Sequence, residues 1–160
     1  LSHLMCPKYI LEIGTFTGYA AICLAQGLSE KGVLHTIEAN EELNYISQKY
    51  FEKAGLDHKI QQHIGDAKKI IPTLEEGFDM VFIDAGKLDY AYYYDLIFGK
   101  VNPGGIIMAD NVLWSGKVIE GKTDKDTKAL DAFNKKILDD ERVENMILPI
   151  RDGMLIARKL

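Results

Sequence analysis

The run Phe78-Asp79-Met80-Val81-Phe82-Ile83 is almost unbroken in apolar character and stops abruptly at Asp84-Ala85-Gly86. A run of that kind reads as a strand buried on both faces, and sheets covered on both faces are built from parallel strands joined by helical crossovers. The rest of the chain meets that demand. Short strand candidates at Tyr9–Ile13, Val33–Ala39, Lys59–Ile64 and Ile106–Ala109 alternate with helical spacing at Gly18–Leu28, Glu41–Ala54, Ala67–Leu74, Asp89–Gly99 and Thr123–Asp140. Val143–Ile150 and Met154–Arg158 close the chain around Arg151-Asp152-Gly153, and Asp-Gly between apolar runs signals a hairpin. The expected fold is α/β, a doubly wound sheet that is mostly parallel with an antiparallel strand from the C-terminal hairpin.

At 160 residues the chain is expected to form a single domain spanning 1–160. Its 47% hydrophobic and 27% charged content excludes wholesale disorder. A net charge of −5 argues against a protein that grips nucleic acid through its phosphates. No apolar run reaches the roughly 18–20 residues of a membrane span. Pro7 and Lys8 interrupt the start too early for a signal peptide, so a cytosolic protein is expected. Cys6 and Cys23 lack C-x-x-C spacing; Cys23, grouped with Ala21, Leu24 and Leu28, is expected on a buried helix face. The opening Leu1-Ser2-His3-Leu4 lacks an initiator methionine and reads as a piece whose N-terminus lies further upstream.

In a doubly wound sheet, ligands bind beyond the carboxyl ends of the strands, near the switch in strand order. The first strand ends in Glu12-Ile13-Gly14-Thr15-Phe16-Thr17-Gly18-Tyr19-Ala20. A dinucleotide fingerprint needs a second glycine where Phe16 stands, and no P-loop lysine follows. S-adenosylmethionine, a common ligand of this architecture, has no phosphate and carries a sulfonium, which suits the acidic Glu12. Glu38, ending the second strand, is placed to accept ribose hydroxyls. Gly65-Asp66-Ala67, ending the third, is placed to border the adenine. Structural roles compete with these: Gly14 and Gly18 as turn residues, Asp66 as a helix N-cap.

The fourth and fifth strands end in Asp84 and in Asp110-Asn111 and should be neighbours. Two carboxylates and an amide oxygen suit Mg²⁺, or Mn²⁺ or Ca²⁺, whereas the four histidines show no zinc-ligand spacing. The structural alternatives are a helix cap for Asp84 and an Asx turn for Asp110-Asn111. Lys87 lies three residues past Asp84; a cation there would disfavour its ammonium form and suit it to general-base work, against the commoner fate of a surface lysine. Trp114 either walls an acceptor pocket or anchors its loop. The aromatic run Tyr90, Tyr92, Tyr93, Tyr94 and Phe98 is flanked by Asp89 and Asp95, which favours core and dimer packing over base stacking.

These residues resemble the cation-dependent O-methyltransferases, a family that includes caffeoyl-CoA and catechol O-methyltransferases and bacterial relatives. The resemblance rests on Glu12 to Tyr19, Phe82-Ile83-Asp84-Ala85, Lys87, Tyr90 and the block Asp110-Asn111-Val112-Leu113-Trp114-Ser115-Gly116-Lys117-Val118, and it runs from Tyr9 to the end. It implies a Rossmann-like methyltransferase sheet and an S-adenosylmethionine-dependent O-methyltransferase acting on a small hydroxylated aromatic molecule. By position it implies metal ligands Asp84, Asp110 and Asn111, a catalytic base Lys87 working beside Asp84, and acceptor contacts at Ser115 and Trp114. Cofactor contacts fall on Glu12, Gly14, Thr15, Gly18, Ala20, Glu38, Asp66, Ala67 and Asp84. Gly86 stands where the family carries an acidic residue or a tryptophan, Ala20 where it often carries serine, and the helices that precede the first strand in the family are missing from this sequence. A homodimer is expected. The competing readings are an RNA or protein methyltransferase on the same fold, a non-catalytic cofactor-binding module and, last, an NAD-dependent oxidoreductase.

Overall fold

In the computed structural model, which describes residues 1–160, the apolar runs pair into one seven-stranded sheet. The strands are β1 (Tyr9–Ile13), β2 (Val33–Glu38), β3 (Ile60–Ile64), β4 (Phe78–Ile83), β5 (Val101–Asp110), β6 (Val143–Leu148) and β7 (Met154–Lys159). Their order is β3-β2-β1-β4-β5-β7-β6. Strands β1 to β5 pair in parallel, and β7 runs antiparallel to both β5 and β6. The order reverses between β1 and β4. Register sets Ile13 beside Ile83 and Ile83 beside Ala109, so the turns after β1, β4 and β5 open side by side.

Alternation along the strands feeds two cores. Val81, Ile83 and Ile107 point to one face, against Tyr90, Tyr94 and Ile97 of α5 (Tyr90–Phe98) and Leu130, Phe133 and Ile137 of α6 (Lys125–Leu138). Ile10, Met80 and Met108 point to the other, against Ala21 and Ala25 of α2 (Tyr19–Ala25) and Phe51 of α3 (Asn44–Lys53). Each large side chain so buried contributes roughly 1.5–3 kcal/mol. Helix α6 starts where Asp124 accepts hydrogen bonds from the Thr127 N–H at 3.1 Å and the Thr127 hydroxyl at 2.7 Å. Two short helices, α1 (Ser2–Met5) and α4 (Ala67–Ile70), complete the layers. No helix is long and apolar enough to cross a membrane.

Three local expectations are corrected. Cys23 is exposed, not buried. It lies two residues, hence about 200°, around the helix from Ala21, and the buried stripe is Ala21 and Ala25. Helix α2 ends at Ala25 rather than Leu28, and Gly27 lies so close beneath α1 that a Cβ there would stand 2.2 Å from Ser2 Oγ. Strand β5 begins at Val101, not Ile106, because Pro103-Gly104-Gly105 is absorbed as an irregularity between the pairs Phe78–Val101 and Met80–Ile106. The aromatic helix serves the core, with Tyr90, Tyr93 and Tyr94 buried and Tyr92 exposed.

Candidate active site

The turn after β1 is shaped by its neighbour. Gly14 has φ +103°, and a Cβ there would stand 2.1 Å from the Asp84 carbonyl oxygen, so glycine is required by the close passage of the turn after β4. Gly18, at φ +85°, is required by Phe51, whose ring carbon would lie 2.5 Å from a Cβ. Between them the Phe16 N–H donates to Glu38 Oε2 at 2.8 Å, while Glu38 Oε1 accepts from the Asn40 N–H at 2.9 Å. These turns border a cleft of about 550 Å³ lined by Gly14, Phe16, Glu38, Asp66, Ala67, Lys68, Asp84, Asp89 and Tyr93 among others. Asp66 lines it while also capping α4, accepting from the Lys68 N–H at 2.9 Å.

Beneath the first turn, Glu12 is fully buried. One carboxyl oxygen accepts from the Thr36 hydroxyl, which also hydrogen-bonds Thr15; the other oxygen has no partner. Burial pushes the Glu12 carboxyl up to about 8, against the Thr36 hydrogen bond, with the charges of Asp84 and Glu38 adding to the rise. A buried carboxyl with one free oxygen suits a positively charged ligand, which would favour its ionised form.

On the far side of Asp84 lies a second cleft of about 500 Å³, mostly apolar, lined by Tyr19, Ala20, Leu24, Phe82, Met108 and Met154 together with Asp84, Asp110 and Arg151. Asp84 lines both clefts. Lys87, nearly buried at 9% exposure, sends Nζ to Asp84 Oδ1 at 3.1 Å, to Asn111 Oδ1 at 3.0 Å and to the Tyr90 hydroxyl. Its Nζ thus meets three oxygen partners. Tyr90 in turn donates to the Asp110 carbonyl at 3.0 Å, and burial, followed by the charges of Asp84 and Asp110, holds its hydroxyl far above the usual phenol value. Asp110 Oδ1 accepts from the Asn111 N–H at 2.8 Å, an Asx-type contact, with Asn111 at φ +61°. The turn of helix after Asp84 has Gly86 at its N-cap and no side-chain cap.

A divalent cation fits this donor set on its chemistry. Two carboxylates and an amide oxygen are hard ligands, and Asp84 and Asn111 both lie within hydrogen-bond reach of one point, Lys87 Nζ. No group of three or more His, Cys, Asp or Glu side chains gathers as a metal site.

The expected residues therefore divide by place. Gly14, Glu38, Asp66, Ala67 and Asp84 line the first cleft; Ala20, Asp84 and Asp110 line the second. Glu12 and Thr15 lie beneath the first turn, and Gly18 packs on Phe51. Lys87, Asn111, Trp114 and Ser115 line neither cleft. The Trp114 ring centroid lies 5.9 Å from Lys87 Nζ and 6.0 Å from Lys117 Nζ, and the Ser115 N–H donates to Asp152. Lys68, ion-paired with Asp89 at 2.8 Å, was not anticipated on the first cleft, nor Arg151 on the second.

The family profile described as O-methyltransferase matches residues 1–160. The chain belongs to the O-methyltransferase family. Among curated members it is 35% identical to a probable caffeoyl-CoA O-methyltransferase 2 of Dictyostelium discoideum, over all of this chain and 72% of the relative. It is 37% identical to a catechol O-methyltransferase of Niastella koreensis, over 98% of this chain and 76% of that protein. The crystal structure of the O-methyltransferase TomG from Streptomyces achromogenes, in complex with SAM, superposes with a TM-score of 0.92 at 31% identity, covering 99% of this chain and 75% of that one. The family's mostly parallel sheet with a terminal antiparallel hairpin is the sheet described above.

Proposed function

We propose that this O-methyltransferase moves the methyl group of S-adenosylmethionine to a hydroxyl of a small catechol-like or phenolic acceptor, assisted by a divalent cation, with Mg²⁺ the first candidate. One observation carries the reading: Asp84 is the common wall of two clefts, one bordered by polar strand ends and one mostly apolar. Donor and acceptor bound on its two sides would meet there. Relatives named for caffeoyl-CoA and catechol acceptors support the phenolic class.

In this proposal Glu38 and Asp66 hold the donor's ribose and adenine end, and Glu12, buried beneath the Gly14 turn, ionises as the donor's positive charge binds above it. Asp84, Asp110 and Asn111 would hold the cation. When bound, it would supply Lewis-acid stabilisation of phenolate charge and help orient the acceptor. The acceptor oxygen bonds to the methyl carbon as the carbon–sulfur bond breaks. The bonding pair stays on sulfur, which becomes a neutral thioether, and the acceptor's proton goes to the Lys87 amine. Oriented capture of both reactants can remove on the order of 7–11 kcal/mol of the barrier.

Chelator titration with a catechol acceptor and labelled donor tests the reading. Turnover should vanish in excess EDTA and return with Mg²⁺. Full turnover in EDTA removes the cation, and a lack of transfer to any hydroxylated aromatic removes the acceptor class.

A further inference from the structure

The chain has three arginines. Two are satisfied by carboxylates: Arg142 binds Asp140 at 2.7 Å and Arg158 binds Glu144 at 2.8 Å. The third, Arg151, makes no salt bridge and no side-chain hydrogen bond, yet it lines the apolar cleft that Asp84 and Asp110 also line. It is the only lining side chain with a fixed positive charge.

Its backbone is held in a left-handed conformation, φ +52°, at the tip between β6 and β7. That conformation disfavours a non-glycine residue. The turn is nevertheless clamped to the segment that follows Asn111. The Leu113 N–H donates to the Asp152 carbonyl at 2.9 Å, the Val112 N–H to the Gly153 carbonyl at 3.1 Å, and the Ser115 N–H to the Asp152 carboxylate. Gly153 lies so close to Leu113 that a Cβ would stand 2.4 Å from its Cγ. The loop bearing the proposed ligand Asn111 and the turn bearing Arg151 thus form one built unit. Arg151 is exposed on this rigid unit, so its guanidinium is free to meet an anionic group on a molecule bound in the cleft.

We infer that Arg151 is a specificity-determining residue that grips a carboxylate on the acceptor, so that the acceptor is a hydroxylated aromatic carboxylic acid rather than a neutral catechol. The inference rests on the transferase reading above for the position of the reacting hydroxyl. A guanidinium presents a flat fork that matches a carboxylate through two parallel hydrogen bonds, and apolar walls strengthen such a pair. The aromatic ring would lie along Phe82, Met108 and Met154, its hydroxyl end at Asp84 and Asp110 and its acid end at Arg151.

Two measurements on the full chain test this. The first compares kcat/KM for 3,4-dihydroxybenzoate and its neutral counterpart 3,4-dihydroxybenzamide. The acid should be preferred at least about tenfold, and Arg151→Gln should collapse that ratio while Arg151→Lys restores part of it. Arg151→Gly, which relaxes the left-handed backbone, should collapse it equally, so a loss cannot be assigned to a damaged turn. The second, by calorimetry, compares binding of benzoate and benzamide, which carry no hydroxyl to methylate. Benzoate should bind more tightly, and Arg151→Gln should erase the difference. A ratio of one in the native protein, or a preference untouched by all three substitutions, overturns the role of Arg151 while leaving the transferase reading intact. Charge-selective binding lost with Arg151, without methyl transfer to either acceptor, supports Arg151 and overturns the transferase reading instead.

Discussion

The two clefts that meet at Asp84 are built by opposite means. The first is made of strand-end turns whose polar atoms are already tied to one another, with Glu38 holding both the Phe16 and Asn40 N–H groups and Asp66 capping α4. The second is made of side chains from distant parts of the sequence, from Ala20 and Phe82 to Met108, Arg151 and Met154, and is mostly apolar. Backbone turns near a switch point preserve one ligand shape, while side chains on a mostly apolar wall can be exchanged singly. In the proposed reaction, the donor side would be held by the fold and the acceptor side by choice of residues.

Removing a group from one side only tests that division most directly. Asp110 lines the second cleft and Asp84 both. Asp110→Ala should lower turnover by about 10³-fold, the upper end for loss of a preorganised electrostatic group, with donor affinity kept. Asp84→Ala should lose turnover equally and weaken the donor as well. Calorimetry with S-adenosylmethionine separates the two, and equal donor affinity in both variants would show that Asp84 is no common wall. Comparable in size is Lys87→Ala. It should cost roughly 10²–10⁴-fold in kcat, as expected for a lost general base, without loss of donor binding.

A buried carboxyl on the donor side gives the third test. The folded protein keeps a proton on Glu12 up to about pH 8, whereas an ordinary carboxyl near 4.5 releases it earlier. Between those values the native state binds more protons than the unfolded chain, so stability falls as pH rises through the window. The slope approaches about 1.4 kcal/mol per pH unit at most. Urea melts without donor should show this decline between pH 5 and about pH 8 in the native protein and a flatter profile in Glu12→Gln. Identical profiles would mean that Glu12 is ionised in the fold.

How much of this was legible in the sequence follows the same division. The apolar run ending in Asp84 announced a central strand, and β4 does lie between β1 and β5. The turn residues of the donor side stood in three short motifs, because each lies where a strand stops. Their physical reasons were less legible: Gly14 and Gly18 answer to the Asp84 carbonyl and to Phe51, contacts made across the sheet and between layers. Cys23 was misjudged because helical spacing was read by apolar identity rather than by angle. Strand β5 was read as starting late because Pro103-Gly104-Gly105 looks like a turn in isolation, and only pairing with Phe78 carries the strand through it. Arg151 went unnoticed because a hairpin signal marks where the chain reverses, not which cleft the reversal borders. The link between Lys87 and Tyr90 is not read from the sequence, where both stand only among the residues that carry the family resemblance. In the fold the tyrosine also reaches the Asp110 carbonyl.

That link supplies the smallest test. Tyr90 is fully buried and packs edge-on against Phe133 at 5.5 Å between centroids, so Tyr90→Phe keeps the packing and removes one oxygen. Lys87 then loses one of three partners and the Asp110 carbonyl loses a donor, each worth about 1 kcal/mol. Raised far above its usual value, the hydroxyl stays protonated through the working pH range, so it holds Lys87 by accepting a hydrogen bond rather than by charge. The variant should turn over about tenfold more slowly, with donor affinity unchanged. If the tyrosine acts by positioning Lys87, its removal should matter little once Lys87 is alanine. A double-mutant cycle decides this. Full additivity of Tyr90→Phe and Lys87→Ala would show that the hydroxyl serves the Asp110 carbonyl alone and leaves Lys87 positioned by Asp84 and Asn111.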